Sequence, residues 1–238
     1  MEKANVFDVV VIGGGPSGAT AATELARKGL HVMLLDRAGR VKPCGGAVPP
    51  RLIRDFDIPQ DQIVATVKSA RIISPSDRGV DMPIDEGGYV GMVDRDRFDE
   101  WLRNRAAGAG AERRTGMFER LERIEDGDVM IHYRDGTDRN GPMRSVRTRA
   151  VVGADGARST VATQSLENPE QVPCVFAYHE IIRSPENNTD KFEKDRCDVY
   201  YQGKLSPDFY GWVFPQRQDN QRRHRLGNQR IFAAWRNP

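Results

Sequence analysis

Cysteine is scarce: Cys44, Cys174 and Cys197 are the only three in 238 residues. They are odd in number, widely spaced and form no Cys-x-x-Cys. That excludes a disulfide framework and a zinc site, and it fits a reducing cytoplasm. The four histidines, His31, His132, His179 and His224, have no metal-ligand spacing, and none stands in a nucleophile motif. No apolar run approaches the length of a membrane-spanning helix. Only six residues precede the first strand-like segment, which leaves no room for a signal peptide. No internal repeat is present.

Charge is unevenly spread. The formal net charge is +2, yet residues 216–238 hold six Arg, no Lys and one Asp, a net of +5. Residues 1–215 carry 30 basic and 33 acidic residues and are mildly acidic. The body has no basic stripe with interleaved aromatics, so nucleic acid is excluded as a partner there. The length suffices to bury a substantial core.

Residues 7–18 are the most informative stretch. A β-branched run, Val9 to Ile12, stops at Gly13, and an alanine-rich helical pattern follows at once. Gly13, Gly15 and Gly18 place G-x-G-x-x-G at a strand-to-helix junction. Gly13 permits the tight turn, Gly15 lets backbone approach a pyrophosphate, and Gly18 lets helix and strand pack closely. The helix N-terminus offers N–H groups and a positive dipole end to a diphosphate. A second strand, His31 to Leu35, ends in Asp36, at about the ~20-residue distance expected of a ribose-binding acid. A carboxylate there accepts from ribose hydroxyls and repels a 2′-phosphate, which favours FAD or NAD over NADP.

Downstream, periodicity predicts strands near 64–74 and 89–93, then an amphipathic helix from Asp94 to about Ala107 with Phe98, Leu102 and Ala106 on one face. Asp94 is its expected N-cap. Strands follow near 112–124, 129–134 and 146–152, with turns at Asp126-Gly127 and Asp135-Gly136. Aromatic-rich strands are expected at 172–182, 198–202 and 210–214, with a loop at 185–190. Helices alternate with strands early and β-structure dominates late. The expected fold is therefore a Rossmann-like α/β FAD-binding domain, residues 1–62 and 94–163, interleaved with a mostly antiparallel sheet domain, residues 63–93 and 164–215.

Other motifs carry possible chemistry. Arg95, opening R-x-x-F-D-x-x-L on the predicted helix, is placed either to pair with a cofactor phosphate or to lie on a solvated face. Asp155, in Gly153-Ala154-Asp155-Gly156, closes a buried strand where sheet ligands gather, although Asp-Gly alone is also a common turn. Tyr210, Trp212 and Phe214 share one face of a strand by their period of two, either as core packing or as the wall of an apolar pocket. Cys44, beside Gly45 and Gly46, is a candidate thiol without a nearby resolving cysteine.

Together these motifs resemble the geranylgeranyl reductase family of flavoproteins, within the group sharing the p-hydroxybenzoate hydroxylase fold. The resemblance covers roughly residues 7–215. The glycine turn with Asp36, the Arg95 helix and Gly153-x-Asp155-Gly156 look like marks of the whole fold group. Lys42-Pro43-Cys44-Gly45-Gly46-Ala47 and Tyr210-Gly211-Trp212-Val213-Phe214-Pro215 point to the reductase branch, and Cys197 to Pro215 to the members acting in chlorophyll and bacteriochlorophyll synthesis. The resemblance implies FAD held by Gly13, Gly15, Ser17, Gly18, Asp36, Gly45, Gly46, Arg95 and Asp155. It implies reduction of isolated C=C bonds in a geranylgeranyl chain with NADPH as transient reductant. The chain would be borne by a pigment or by geranylgeranyl diphosphate and gripped by Tyr210, Trp212 and Phe214. The implied location is cytoplasmic, with room for peripheral contact at the photosynthetic membrane.

The end of the chain departs from that pattern. Family members continue into a second flavin-contacting Gly-Asp segment and a helix. Here residues 216–238 hold six Arg, four Gln and three Asn with little apolar periodicity. The break after Pro215 leads to the expectation of an atypical basic tail from a reading-frame error or truncation. A tail docking on anionic lipid is the other reading. Two functional alternatives follow: an aromatic hydroxylase of the same fold using O₂ and NADPH, and an inactive remnant that binds at most nucleotide.

Overall fold

The computed structural model describes residues 6–38, 44–84, 88–168, 176–183, 185, 187–189, 192–207, 209–216 and 228–235. Lys42, Pro43, Cys174, His224 and most of the basic tail lie outside them. In chain order the elements are β1 (Phe7–Ile12), α1 (Pro16–Arg27), β2 (Val32–Asp36), β3 (Ala47–Val48), α2 (Pro50–Asp55), β4 (Ile63–Val67), β5 (Ser69–Ile73), β6 (Gly79–Pro83) and β7 (Val90–Val93). Then come α3 (Arg95–Gly108), β8 (Glu112–Arg123), β9 (Val129–Asp135), β10 (Met143–Gly153), α4 (Thr160–Ser165), β11 (Phe176–Arg183), β12 (Arg196–Tyr200), β13 (Gly211–Pro215) and β14 (Asn228–Trp235).

The chain forms two compact units, Met1–Val41 with Phe98–Pro173, and Lys42–Arg97 with Cys174–Pro238. This grouping differs from the expected division at its boundaries. Residues 42–62 fall in the second unit, where β3 pairs with β7.

In the first unit, β1 is flanked by β2 and β10, both parallel to it. Two long strands each serve two neighbours. The start of β8 runs parallel to β2, and its remainder pairs antiparallel with β9. The start of β10 pairs antiparallel with β9, and its end runs parallel to β1. The pairings β1-β10-β9-β8-β2 therefore close on themselves. Phe7, Val10, Ile12, Met33, Leu35, Ile131 and Tyr133 of these strands form one buried core cluster, which Val161 of α4 joins. Full burial of such side chains contributes roughly 1.5–3 kcal/mol each.

Helix α1 covers the parallel strands with its small face, burying Gly18, Ala19, Ala22, Thr23 and Ala26. Pro16 starts it, and Gly29, at φ +80°, ends it. The Leu30 N–H then reaches back to the Leu25 carbonyl, closing the helix terminus. Helix α3 buries Phe98, Leu102 and Ala106, the stripe expected from the sequence, together with Asp99 and Arg103.

The second unit holds a six-stranded, mostly antiparallel sheet in the order β11-β14-β13-β12-β5-β6 and a three-stranded sheet, β3-β7-β4. The single strand expected over 64–74 is two strands in two different sheets. The break falls at Lys68, whose N–H donates to the Asp195 carbonyl. The tail also differs from expectation. Within it, β14 lies between β11 and β13 and pairs antiparallel with both. The run Ile231-Phe232-Ala233-Ala234-Trp235 has the apolar content a central strand needs, despite the arginines around it.

Candidate functional site

The glycine turn is built by close approach. Gly13 sits at φ +105°, and a Cβ there would lie 2.3 Å from the Ala154 carbonyl oxygen. A Cβ on Gly18 would lie 1.8 Å from the Gly13 oxygen. The Gly13 N–H donates to the Leu35 carbonyl and the Ala154 N–H to the Ile12 carbonyl, both at 2.8 Å. The ends of β1, β2 and β10 thus meet at one place. Gly15 is the N-cap of α1 and supplies no side-chain cap, and no acidic residue stands in the first turn. Ser17 is exposed there. The positive end of α1 is left for an anion.

Asp36 ends β2 with its carboxylate fixed from two sides. The Gly14 N–H donates to Oδ2 at 2.7 Å, and the Ala38 N–H donates to Oδ1 at 2.9 Å. Two residues beside it were not singled out from the sequence. Arg103 of α3, buried, donates from Nη1 to the Gly14 carbonyl at 3.1 Å, and the same nitrogen lies 3.6 Å from Asp36 Oδ1. Gly14, an unspecified position in the motif, carries a Cβ position only 2.8 Å from Asp36 Cγ and 2.9 Å from Arg103 Cδ. The signals available were the middle one of three consecutive glycines and an arginine adjoining the buried stripe of α3.

Glu100 anchors Arg103. It accepts from Arg103 Nε at 3.1 Å and from both Arg113 terminal nitrogens at 2.7 and 2.8 Å. Hydrogen bonding to Arg113 holds the Glu100 carboxyl below its ordinary value, partial burial opposes the shift, and Arg103 adds to it.

Asp155 lies beside the turn through its backbone, with its N atom 2.8 Å from a Gly13 Cβ position. Its carboxylate has an immediate structural task that the sequence reading did not include. Oδ1 accepts from the Ser159 hydroxyl, and Oδ2 from the Thr160 and Val161 N–H groups at 2.7 and 3.2 Å. It closes the N-terminus of α4, where Ser159 is the N-cap. A cavity of about 430 Å³ in this unit, lined by Leu121, Val129, Arg149, Val151 and Val161, includes none of the expected site residues.

The remaining expected residues lie in the second unit. Arg95 is half-buried at the start of α3. Gly45 lies against the aromatic strand: a Cβ on it would be 2.7 Å from the Phe214 ring and 2.9 Å from Trp212 Nε1. Gly46, at φ +77°, leaves no room beside the Val93 carbonyl, 2.4 Å from its Cβ position. Gln216 Nε2 donates to the Gly45 carbonyl at 3.0 Å. The glycines are therefore required by packing against β13 and β7. Cys44 is half-buried, in no disulfide, and its Sγ accepts from the Gly46 N–H at 3.5 Å.

Tyr210, Trp212 and Phe214 do share a face, with ring centroids 5.3 and 6.0 Å apart in succession. Two further rings join them. Phe209 stacks on Tyr210 at 4.1 Å, and Tyr201 lies 5.8 Å from Tyr210. Trp212 is buried, whereas Tyr201 and Phe209 are exposed. Burial pushes the Tyr210 hydroxyl up, with Tyr201 and Cys44 adding to the shift. Deeper in the sheet, Cys197 is buried against Val67 and Met92, and burial with Asp198 beside it pushes its thiol up to about 12. Such a thiol stays protonated and inert at neutral pH.

A family model described as FAD binding domain matches residues 6–228. The chain belongs to the FAD-binding domain family. This FAD-binding chain is 56% identical over 209 residues to the geranylgeranyl diphosphate reductase of Rhodobacter capsulatus, covering 88% of the chain and 52% of that protein. It is 38% identical over 221 residues to the chloroplastic geranylgeranyl diphosphate reductase of Oryza sativa, covering 87% and 46%. A geranylgeranyl bacteriochlorophyll reductase-like protein from Thermoplasma acidophilum superposes with a TM-score of 0.72 at 25% identity, over 96% of this chain and 56% of that one. The FAD-binding chain spans about half the length of the curated relatives it matches. Among its described residues, no helix is long and apolar enough to cross a membrane.

The residues present fit the adenosine diphosphate half of FAD. The turn at Gly13 and Gly18 has no room for a side chain, the start of α1 is uncapped by any side chain, and an ordered carboxylate stands at the end of β2.

Proposed function

We propose that the chain is the flavin- and prenyl-binding part of an enzyme that reduces isolated C=C bonds of a geranylgeranyl chain to give a phytyl chain, with NADPH as electron donor. The observation that carries this reading is the cluster of Tyr201, Phe209, Tyr210, Trp212 and Phe214 lying against the Cys44-Gly45-Gly46 loop. A polyprenyl chain is long, apolar and unsaturated, and stacked aromatic faces are the surface that binds it without hydrogen bonds. The names of the two similar reductases agree with it.

On this reading Gly13, Gly15, Ser17 and Gly18 bind the FAD diphosphate and Asp36 its adenosine ribose, with Asp155 lending backbone beside them. The resemblance also assigns Gly45, Gly46 and Arg95 to FAD. Bound FAD, once reduced by NADPH, would supply hydride to one alkene carbon while a proton reaches the other. The isolated alkene has no carbonyl to take up charge, so the chain's residues must hold it still and dry. Tyr210, Trp212 and Phe214 serve that purpose, and the half-buried Cys44 thiol lies in the electrostatic field of Tyr210. The substrate is a geranylgeranyl-bearing pigment or geranylgeranyl diphosphate in (bacterio)chlorophyll synthesis, met in the cytoplasm or at the face of the photosynthetic membrane.

The test is incubation with FAD, NADPH and, in separate arms, geranylgeranyl diphosphate or a geranylgeranyl-esterified pigment, followed by mass spectrometry of the prenyl product. A gain of two hydrogens for each bond reduced is expected in at least one arm. An unchanged prenyl mass in both arms, with flavin demonstrably bound, defeats the proposal.

A further inference from the structure

We propose that Arg103 is a positioning residue for nucleotide binding: it sets the geometry in which Asp36 meets the adenosine ribose, acting through the backbone of Gly14. The inference rests on the reading of the glycine turn as the adenosine diphosphate site, and it adds a residue that the motif does not contain.

Arg103 lies 89 residues from Gly14 in sequence, yet it donates to the Gly14 carbonyl while the Gly14 N–H donates to Asp36. Gly14 is thus held through both flanking peptides, its N–H in the Gly13–Gly14 peptide and its carbonyl in the Gly14–Gly15 peptide. The placement of this one residue sets where the Asp36 carboxylate points, because its N–H makes the shorter of the two backbone bonds to that carboxylate. The Arg103 guanidinium also stands 3.6 Å from Asp36 Oδ1, close enough to resist rotation of the carboxylate.

Arg103 is itself fixed. Its side chain is only 9% exposed and Glu100 binds it, while Arg113 holds Glu100 from the other side. The order of control runs from Arg113 through Glu100 and Arg103 to the backbone of Gly14 and then Asp36. Gly14 is the hinge of this arrangement. A methyl group there would strike both Asp36 and Arg103.

A merely structural arginine and a positioning arginine predict different results. Loss of a structural residue weakens every nucleotide equally. Loss of a positioning residue removes the preference for a ligand with ribose hydroxyls. The probes are ADP and 2′,3′-dideoxy-ADP, titrated calorimetrically into the full chain.

The wild type is expected to prefer ADP by about tenfold, the scale of a hydrogen bond to a charged group. Arg103→Ala should bring that ratio near unity while leaving dideoxy-ADP affinity within about twofold, and Arg103→Lys should restore part of it. Asp36→Asn should abolish the preference, and adding Arg103→Ala to it should change nothing further, the signature of coupled residues. Gly14→Ala, whose methyl displaces Asp36 and Arg103 without removing either charge, should also lower the ratio. Equal weakening of both ligands in Arg103→Ala, or additive effects in the double variant, overturns the proposal. Wild-type protein that binds neither nucleotide overturns the adenosine reading itself, and the proposal with it.

Discussion

The Gly14 amide and the Asp36 carboxylate, 22 residues apart, are joined by a 2.7 Å hydrogen bond that ties the glycine turn to the end of β2. A backbone N–H bound to an ionised acceptor is among the stronger hydrogen bonds in a protein. It leaves Asp36 with lone pairs for a ligand and fixes their direction.

Gly18→Ala tests how tightly that turn is packed. The added methyl would enter within 1.8 Å of the Gly13 carbonyl oxygen, which is backbone and has no flexible end to move. Overpacking of this kind costs about 1–3 kcal/mol or more. A urea melt should show at least that loss, and ADP affinity should fall with it. A variant as stable as wild type would mean that α1 moves away from β1 freely.

Glu100 gives the site a pH dependence. Its folded-state pKa lies below the usual 4.5, chiefly through Arg113. The stabilisation is therefore complete above the unfolded value and is lost as pH falls through the lower folded value. Glu100→Gln should melt below wild type at neutral pH, and the gap should narrow progressively as pH falls below the ordinary value of 4.5. Because the carboxylate is 44% exposed, the difference will shrink with added salt. A gap that persists unchanged at pH 3 would contradict the ion-pair origin.

How much of this was legible in the sequence follows the range of the contacts. The turn at Gly13–Gly18 and Asp36 were readable because strand, turn, helix and acid follow one another locally. The face of Phe98, Leu102 and Ala106 was readable from helical period. Arg103 was not, because its partner is a carbonyl 89 residues away and arginine on a helix is ordinarily solvated. Lys68 concealed the change of sheet between β4 and β5, since the switch depends on the Asp195 carbonyl. The strand β14 was hidden by surrounding arginines and glutamines, which dominate composition although the strand itself is apolar at Ile231–Trp235. For Asp155 a local signal did exist: Ser159 and Thr160 follow at capping distance and mark a helix start.

The buried pair Arg196–Asp198 on β12 supports the larger sheet. Arg196 Nε donates to Asp198 Oδ1 at 2.6 Å and Nη2 to Oδ2 at 3.2 Å, and both side chains are almost fully buried. Arg196 also pairs with the half-exposed Glu193, so removing Asp198 should cost less than the about 3–5 kcal/mol of a buried charge left wholly unpaired. Asp198→Ala should lower the urea midpoint accordingly. The aromatic cluster on neighbouring β13 should loosen with it, read as a red shift of tryptophan emission. Replacing both residues by apolar ones of similar volume should recover much of the loss.

Phe209 and Tyr201 are the exposed members of the aromatic cluster. If the cluster grips a prenyl chain, they meet its outer portion, and their loss should be felt by long ligands only. Phe209→Ala is expected to weaken geranylgeraniol binding several-fold, at about 0.8 kcal/mol per buried methylene, while geraniol binding stays unchanged. Quenching of tryptophan fluorescence reports it, with Trp212→Phe identifying the responsible indole. Equal weakening for both alcohols would place Phe209 in the fold and not at the ligand.

Gly45→Ala separates two explanations for the same glycine. The structure explains it by packing, since a Cβ would press on the Phe214 ring at 2.7 Å and on Trp212 Nε1 at 2.9 Å. The family resemblance explains it by contact with the flavin. Rings can tilt by a few tenths of an ångström, so the substitution should be tolerated at a cost of about 1–3 kcal/mol. Under the packing explanation the displaced Phe214 and Trp212 disturb the aromatic face, and geranylgeraniol affinity falls while FAD affinity is retained. Under the flavin explanation FAD affinity falls first. Titrating both ligands into the same variant decides between them. The packing explanation fails if FAD binding drops at least as much as prenol binding.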